Sequence, residues 1–122
     1  MNRPILIIED VEETRLYLKH LMEQLSFDNI QLAANGEQAS SLLDKQEYEL
    51  LLLDIELPDI DGKALLDEYK VKYPNMPVIM CSSHNTVENV KYTWDMGANG
   101  FLTKPIELHK IKNLLARLGF NV

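Results

Sequence analysis

The stretch LLLLDIELPDIDG, residues 50–62, decides the fold of this chain. Its four leucines are too apolar for a solvated surface, and turn-forming residues end the run within a few positions. A short continuous apolar run of this kind predicts a strand that is covered on both faces, as in a parallel sheet between two layers of helices. Asp54 stands where the apolar run ends. A lone aspartate could simply begin a turn, but ligands of open α/β sheets bind at the carboxyl ends of strands, so Asp54 is a candidate functional residue.

The same alternation of strand and helix runs through the whole chain. Further strand-like runs lie at residues 4–8, 30–33, 77–81 and 100–103, and apolar residues at helical spacing follow each of the five runs. The predicted inner faces of the helices comprise Leu18, Leu21, Met22 and Leu25; Ala39, Leu42 and Leu43; Leu65, Leu66, Tyr69 and Tyr73; Val87, Val90 and Trp94; and Leu108, Ile111, Leu115 and Leu118. This pattern predicts an α/β fold, a doubly wound five-stranded parallel sheet with right-handed crossovers and five helices on its two faces. We expect the flavodoxin-like strand order 2-1-3-4-5.

Length, charge and cysteine content narrow the possible functions. The 122 residues suit one domain, residues 1–122, which could also be the first part of a longer protein. A net charge of −7 argues against direct nucleic-acid binding and permits a metal cation or a basic partner. The single cysteine, Cys81, lies among apolar neighbours and is expected to be buried. We find no signal-peptide layout and no membrane-spanning run, so we expect a cytoplasmic protein.

Polar side chains stand at the carboxyl ends of four predicted strands. Glu9 and Asp10 follow the first strand, Asp54 ends the third, Ser82 follows the fourth and Lys104 follows the fifth. Each has an ordinary explanation, such as starting or capping a helix. In the order 2-1-3-4-5, however, these four strands are consecutive neighbours, so their side chains are expected to meet in one pocket.

The sequence resembles the receiver domain of two-component response regulators over essentially its full length. The resemblance is carried by ILIIED at residues 5–10, LLLDIELPDIDG at 51–62, PVIMCSS at 77–83 and GANGFLTKP at 97–105. It implies the following roles: an acidic pair at Glu9 and Asp10, a phosphoacceptor at Asp54, a hydroxyl residue at Ser82, an aromatic switch at Phe101 and a lysine at Lys104.

Phosphoryl transfer suits these residue types. A carboxylate that is already ionised at neutral pH can attack phosphorus without a base, but its charge repels the phosphoryl group. A hard cation with oxygen ligands offsets this repulsion, and we expect Mg²⁺. Asp10 and Asp54 are the expected direct ligands, and Glu9 is expected to act through a bound water. The resemblance adds the backbone carbonyl of Glu56. Lys104 and Ser82 can contact further phosphoryl oxygens.

The resemblance also implies a conformational switch. Phosphate on Asp54 would draw Ser82 towards it and let Phe101 turn inward, which would change the surface of the fourth helix, fifth strand and fifth helix. A plain core role for Phe101 stays open. The Lys104-Pro105 peptide bond is expected to be cis. Four residues depart from the commoner family choice (Glu9 for Asp, Ser82 for Thr, Phe101 for Tyr, Ser83 for Ala or Gly), and Glu56 and His84 take the two variable positions that flank the pocket.

The leading hypothesis is a Mg²⁺-dependent signalling module that takes a phosphoryl group onto Asp54 from a histidine kinase or phosphotransfer protein. It is not expected to be an enzyme beyond self-phosphorylation and self-dephosphorylation. The alternative is an unphosphorylated domain that works by protein binding alone. A metal-dependent phosphatase fits less well, because such enzymes with an aspartate nucleophile carry a second aspartate two residues further on, at the first strand, whereas here Glu56 follows the third strand. Dinucleotide binding is disfavoured because no glycine-rich loop follows the first strand. The expected recipient is a separate effector, a homodimer or a missing output domain, through a face bearing Lys91, Tyr92, Asp95, Asn99 and Lys110.

Overall fold

Five parallel strands and five helices alternate along the chain in the computed structural model, which describes residues 4–122. The strands are β1 (Ile5–Ile8), β2 (Ile30–Ala33), β3 (Leu50–Asp54), β4 (Val78–Ser82) and β5 (Gly100–Thr103). The helices are α1 (Glu12–Gln24), α2 (Gly36–Leu43), α3 (Gly62–Lys72), α4 (Val87–Asp95) and α5 (Leu108–Arg117). All strand pairs are parallel and the sheet order is β2-β1-β3-β4-β5, so the predicted fold class and strand order are confirmed.

The leucine run of β3 supplies both hydrophobic layers of the core. Leu51 and Leu53 belong to a cluster that contains the buried residues of α2 and α3, and Leu50 and Leu52 belong to a second cluster with those of α1 and α5. Successive side chains of a strand point to opposite faces, so a continuous apolar run is what a sheet covered on both sides requires. All four leucines are at most 1% exposed.

Three of the helices begin with a side chain that caps the first turn. Asn35 accepts a hydrogen bond from the Gln38 amide at 2.8 Å, and Thr86 accepts one from the Asn89 amide at 3.1 Å. The Asp61 carboxylate accepts one from the Lys63 amide at 2.9 Å. These bonds satisfy amides that have no partner within the helix, and they place the starts of α2, α3 and α4 close to the ends of the preceding strands.

The prediction for the inner face of α4 was wrong for Val87 and Trp94, whereas Val90 is half-buried. Val87 is 83% exposed and Trp94 is 53% exposed, and the buried residue of this helix is Thr93. Thr93 can be buried because its hydroxyl donates to the Val90 carbonyl at 2.8 Å, which satisfies its polar group. A smaller departure occurs in α5, where the predicted inner residue Leu108 is 37% exposed.

Other local predictions agree with the structure. Cys81 is buried, and the Lys104-Pro105 peptide bond is cis. Among residues 4–122, no helix is long and apolar enough to span a membrane.

Candidate functional site

Strand register brings the predicted site residues to one edge of the sheet. Ile8 pairs with Leu53, so the next residues on these neighbouring strands, Glu9 and Asp54, lie at the same level. Asp54 in turn pairs with Cys81 of β4, and Ser82 pairs with Thr103 of β5. The carboxyl ends of β1, β3, β4 and β5 therefore share one site, as the sequence predicted.

Three carboxylates and one ammonium group form the centre of this site. Glu9, Asp10 and Asp54 each offer an oxygen within 4.8 Å of the others. Lys104 Nζ lies 2.5 Å from Glu9 Oε1 and 3.2 Å from Asp54 Oδ2. Glu9 and Asp54 are buried and Asp10 is exposed, so the cluster opens to solvent on the Asp10 side. Three carboxylates against one ammonium group give a set of oxygen ligands that suits a cation.

Burial and charge change the proton affinity of Asp54. Burial raises its pKa to about 7, and the negative charge of Glu9 adds to the increase, whereas Lys104 and the Glu56 amide act in the opposite direction. The sequence predicts a carboxylate that is ionised at neutral pH, but in the structure the ionisation of Asp54 is incomplete near pH 7 unless a further positive charge is supplied. Burial lowers the pKa of Lys104, but the hydrogen bond to Glu9 and the charges of Asp54 and Glu9 outweigh this effect and raise it.

Backbone contacts hold the two acidic segments in place. The Val11 amide donates to Glu9 Oε2 at 3.0 Å, and Arg15 Nη1 donates to the Glu9 carbonyl at 2.9 Å and to the Asp10 carbonyl at 3.3 Å. Sequence reasoning missed Arg15, because a cation in the first turns of a helix carries no sign of which carbonyls it contacts. Arg15 fixes the segment between β1 and α1 from which Glu9 and Asp10 project.

Hydrogen bonds hold both ends of the loop between β3 and α3 in place. The Glu56 amide donates to Asp54 Oδ1 at 3.2 Å, and the Gly62 amide donates to the Ile55 carbonyl at 2.8 Å. In the middle of the loop, the Asp59 carboxylate accepts hydrogen bonds at 2.9 and 3.0 Å from the first two amides of α2. The loop therefore has a defined path past Asp54.

Gly62 is required by close backbone packing in this loop. A Cβ atom at this position would lie 2.2 Å from the Asp54 carbonyl oxygen and 2.7 Å from Ile55 Cα. Real side chains do not approach backbone atoms this closely, so only glycine lets α3 begin beside the end of β3.

The remaining predicted residues lie around the pocket. Ser82 is buried, and its hydroxyl donates to Glu56 Oε2 at 2.9 Å. His84 Nδ1 lies 3.0 Å from Glu56 Oε1, and Ser83 is exposed, with its hydroxyl 3.5 Å from the same oxygen. Phe101 is half-buried and packs against the hydrophobic cluster of α2 and α3. The sequence placed Glu56 at a position that flanks the pocket and assigned its carbonyl to the metal, but it did not predict the hydrogen bond between the Glu56 side chain and Ser82.

Comparison with known proteins decides the family. The family model described as the response regulator receiver domain matches residues 5–116. The chain belongs to the response regulator receiver domains. This family is a signalling family whose members are in general not enzymes in their own right, and they typically use Mg²⁺; the Glu9, Asp10 and Asp54 cluster could bind such an ion.

Individual relatives differ in how much of their length the receiver domain represents. The chain is 35% identical over 115 residues to an NtrX-like response regulator of Rickettsia bellii, which covers 93% of this chain and 24% of that protein. It is 29% identical over 117 residues to the sporulation initiation phosphotransferase F of Bacillus subtilis, which covers 96% of this chain and 94% of that protein. The chain thus spans about a quarter of the first relative and nearly all of the second.

Solved structures support the fold. A CheY-like receiver domain from Methanospirillum hungatei superposes with a TM-score of 0.88 at 24% identity, covering 97% of this chain and 94% of that one. NtrX from Brucella abortus, solved in complex with ATP, superposes with a TM-score of 0.86 at 28% identity, covering 96% of this chain and 27% of that one.

Proposed function

We propose that this receiver domain accepts a phosphoryl group on Asp54 from a histidine kinase or a phosphotransfer protein. The observation that carries the proposal is the convergence of Glu9, Asp10 and Asp54 within 4.8 Å, with Lys104 against two of them. A domain that only bound partners would gain nothing from burying two carboxylates with one ammonium group, because desolvation of such charges is costly.

The donor set at this edge fits Mg²⁺. Asp10 and Asp54 are the proposed direct ligands, together with the backbone carbonyl of Glu56, and Glu9 is proposed to act through a bound water. Bound Mg²⁺ would supply positive charge that offsets the repulsion between the Asp54 carboxylate and the incoming phosphoryl group. Binding would also favour ionised Asp54, whose pKa is about 7 without the ion.

The residues of the chain then have separate roles in transfer. An Asp54 carboxylate oxygen forms the new bond to phosphorus, while the bond from phosphorus to the donor breaks and the donor atom leaves with the electron pair. Lys104, whose Nζ already lies 3.2 Å from Asp54 Oδ2, can move its contact to a phosphoryl oxygen. Ser82 provides a hydroxyl donor for another oxygen, and the exposed Ser83 and His84 flank the path by which donor and water arrive.

We propose that the phosphorylated protein signals through α4, β5 and α5. Phe101 of β5 is half-buried, and we propose that it turns further inward when Ser82 moves towards a phosphoryl group and vacates space. The exposed side chains of Val87 and Trp94 on α4 would belong to the same surface. A separate effector, a second copy of this chain or an attached output domain could respond to the change.

A small phosphodonor tests the proposal directly. Incubation with acetyl phosphate and Mg²⁺ should add one phosphate to the wild-type protein, measured by intact mass, and chelation of the metal should abolish the addition. Asp54→Ala and the nearly isosteric Asp54→Asn should both remain unmodified while keeping a native circular dichroism spectrum. If a folded Asp54 variant still gains the phosphate, the acceptor is another residue. If folded wild-type protein with Mg²⁺ gains none, the protein-binding domain without phosphorylation becomes the better explanation.

A further inference from the structure

The Glu56 side chain turns to β4 and not to the acidic cluster. Its Oε2 accepts a hydrogen bond of 2.9 Å from the hydroxyl of Ser82, which lies 26 residues further along the chain and is fully buried. We infer that Glu56 is a positioning residue, whose carboxylate latches the Ser82 hydroxyl in the unmodified protein and must release it before Ser82 can donate to a phosphoryl group on Asp54. This inference rests on the proposed function, because it concerns the step in which Ser82 changes its partner.

The single proton of the Ser82 hydroxyl already has an acceptor in this arrangement. A serine hydroxyl has one proton, and the shortest acceptor for it is Glu56 Oε2 at 2.9 Å, against 3.3 Å for Oε1 and 3.4 Å for the His84 carbonyl. The Ser82 oxygen in turn accepts a hydrogen bond of 2.9 Å from the His84 amide. The hydroxyl therefore cannot serve a group on Asp54 without giving up the bond to Glu56.

Glu56 contacts both Asp54 and Ser82 and is therefore placed to couple them. Its main-chain amide donates to Asp54 Oδ1 at 3.2 Å, so one residue contacts Asp54 through its backbone and Ser82 through its side chain. The other carboxylate oxygen contacts the ring of His84 at 3.0 Å, but the His84 and Glu56 side chains are 68% and 40% exposed, so this pair contributes little. The bond to the buried Ser82 is the one that restrains the pocket.

Release of the latch is an exchange between two negatively charged acceptors. A carboxylate and a phosphoryl group both form strong charge-assisted hydrogen bonds, so neither orientation of Ser82 is favoured overwhelmingly. Replacing the carboxylate by a neutral amide acceptor weakens the latched orientation by about fivefold. Glu56→Gln keeps the length of the side chain and removes its charge, whereas Glu56→Asp keeps the charge and shortens the reach by one methylene.

The test compares phosphorylation by acetyl phosphate at saturating Mg²⁺. We expect Glu56→Gln and Glu56→Asp each to raise the steady-state ratio of phosphorylated to unmodified protein, by about fivefold for the glutamine variant. Glu88→Gln, which removes a negative charge from an exposed position on α4, is the matched control and should leave the ratio unchanged. An increase in the glutamine variant alone, with the aspartate variant like wild type, would mean that charge and not the hydrogen bond matters, and would overturn the inference.

A double-mutant cycle separates the latch from long-range electrostatics. In a Ser82→Ala background there is no hydroxyl to hold, so Glu56→Gln should have no further effect on the ratio. An undiminished effect of Glu56→Gln in that background would also overturn the inference.

Hydrogen exchange provides a measurement that needs no phosphate. The His84 amide is bonded to the latched Ser82 oxygen, so its exchange should be several-fold faster in Glu56→Gln and Glu56→Asp than in wild type or Glu88→Gln. Equal exchange in all four proteins would show that Glu56 does not hold Ser82. If wild-type protein takes no phosphate, the proposed function fails, while this measurement still decides whether Glu56 restrains Ser82.

Discussion

Replacing Asp54 by asparagine should stabilise the protein, although it removes the proposed phosphoacceptor. Asp54 is 2% exposed, and burial followed by the charge of Glu9 raises its pKa from 3.8 to about 7. An asparagine side chain at this position would have nearly the same volume and could still accept the hydrogen bond from the Glu56 amide. It would leave Lys104 paired with Glu9 and remove one of the three clustered carboxylates, so the variant loses an unfavourable buried charge and little of the packing.

The size of the stabilisation expected for Asp54→Asn follows from the difference in the Asp54 pKa between the folded and unfolded chains. The folded protein binds the Asp54 proton more tightly, so ionisation costs stability, and the cost grows as pH rises from 3.8 to about 7. A pKa difference of about three corresponds to a cost of about 4 kcal/mol at pH 8, when both states are ionised. At pH 5 the folded protein is still protonated at Asp54, and the cost is about 2 kcal/mol. The increase in the free energy of unfolding caused by Asp54→Asn should therefore roughly double between pH 5 and pH 8.

Urea unfolding at these two pH values, in the presence of a metal chelator, measures the effect. Glu68→Gln is the control, because it removes one negative charge from an exposed position on α3 and should change stability by less than about 0.5 kcal/mol. Added Mg²⁺ should stabilise wild type by about 3 kcal/mol at 100 times its dissociation constant and should affect Asp54→Asn less. The electrostatic reasoning is refuted if Asp54→Asn is no more stable than wild type at pH 8, or if its free energy of unfolding exceeds that of wild type by the same amount at both pH values.

Two further predictions concern the loop that carries the site. Gly62→Ala should lower the free energy of unfolding by at least about 2 kcal/mol, measured in urea, because the new Cβ would meet the Asp54 carbonyl oxygen at 2.2 Å; a smaller loss would show that the loop opens freely. Asp59→Ala should destabilise the protein at neutral pH, and the difference from wild type should shrink as pH falls below 3.8. Hydrogen bonds from the amides of Gly36 and its neighbour lower the Asp59 pKa, so this stabilisation exists only while the carboxylate is ionised; unfolding curves that differ equally at pH 7 and pH 3 would contradict it.

The strands and the site edge could be predicted because their signals are local or periodic. The leucine run before Asp54 indicated a strand buried on both faces, and the repeated alternation of strand and helix indicated a parallel sheet. The flavodoxin-like strand order expected for such a sheet brings Glu9, Asp54 and Lys104 together, and the structure has this order. The inner face of α4 was predicted wrongly because hydrophobic periodicity assumes that buried positions are apolar. Thr93 is buried there with its hydroxyl satisfied by its own helix, while Trp94 is half exposed.

The sequence by itself determined which elements form, their order along the chain and the residue types at the carboxyl ends of the strands, because hydrophobic periodicity and turn chemistry are properties of neighbouring residues. Only the tertiary structure decided the proton affinity of Asp54 and the partner of the Ser82 hydroxyl. Both depend on burial and on distances between groups that are tens of residues apart, such as the 2.9 Å between Ser82 and Glu56. Differences of a few tenths of an ångström there decide which acceptor receives a proton, and no pattern along the chain specifies them.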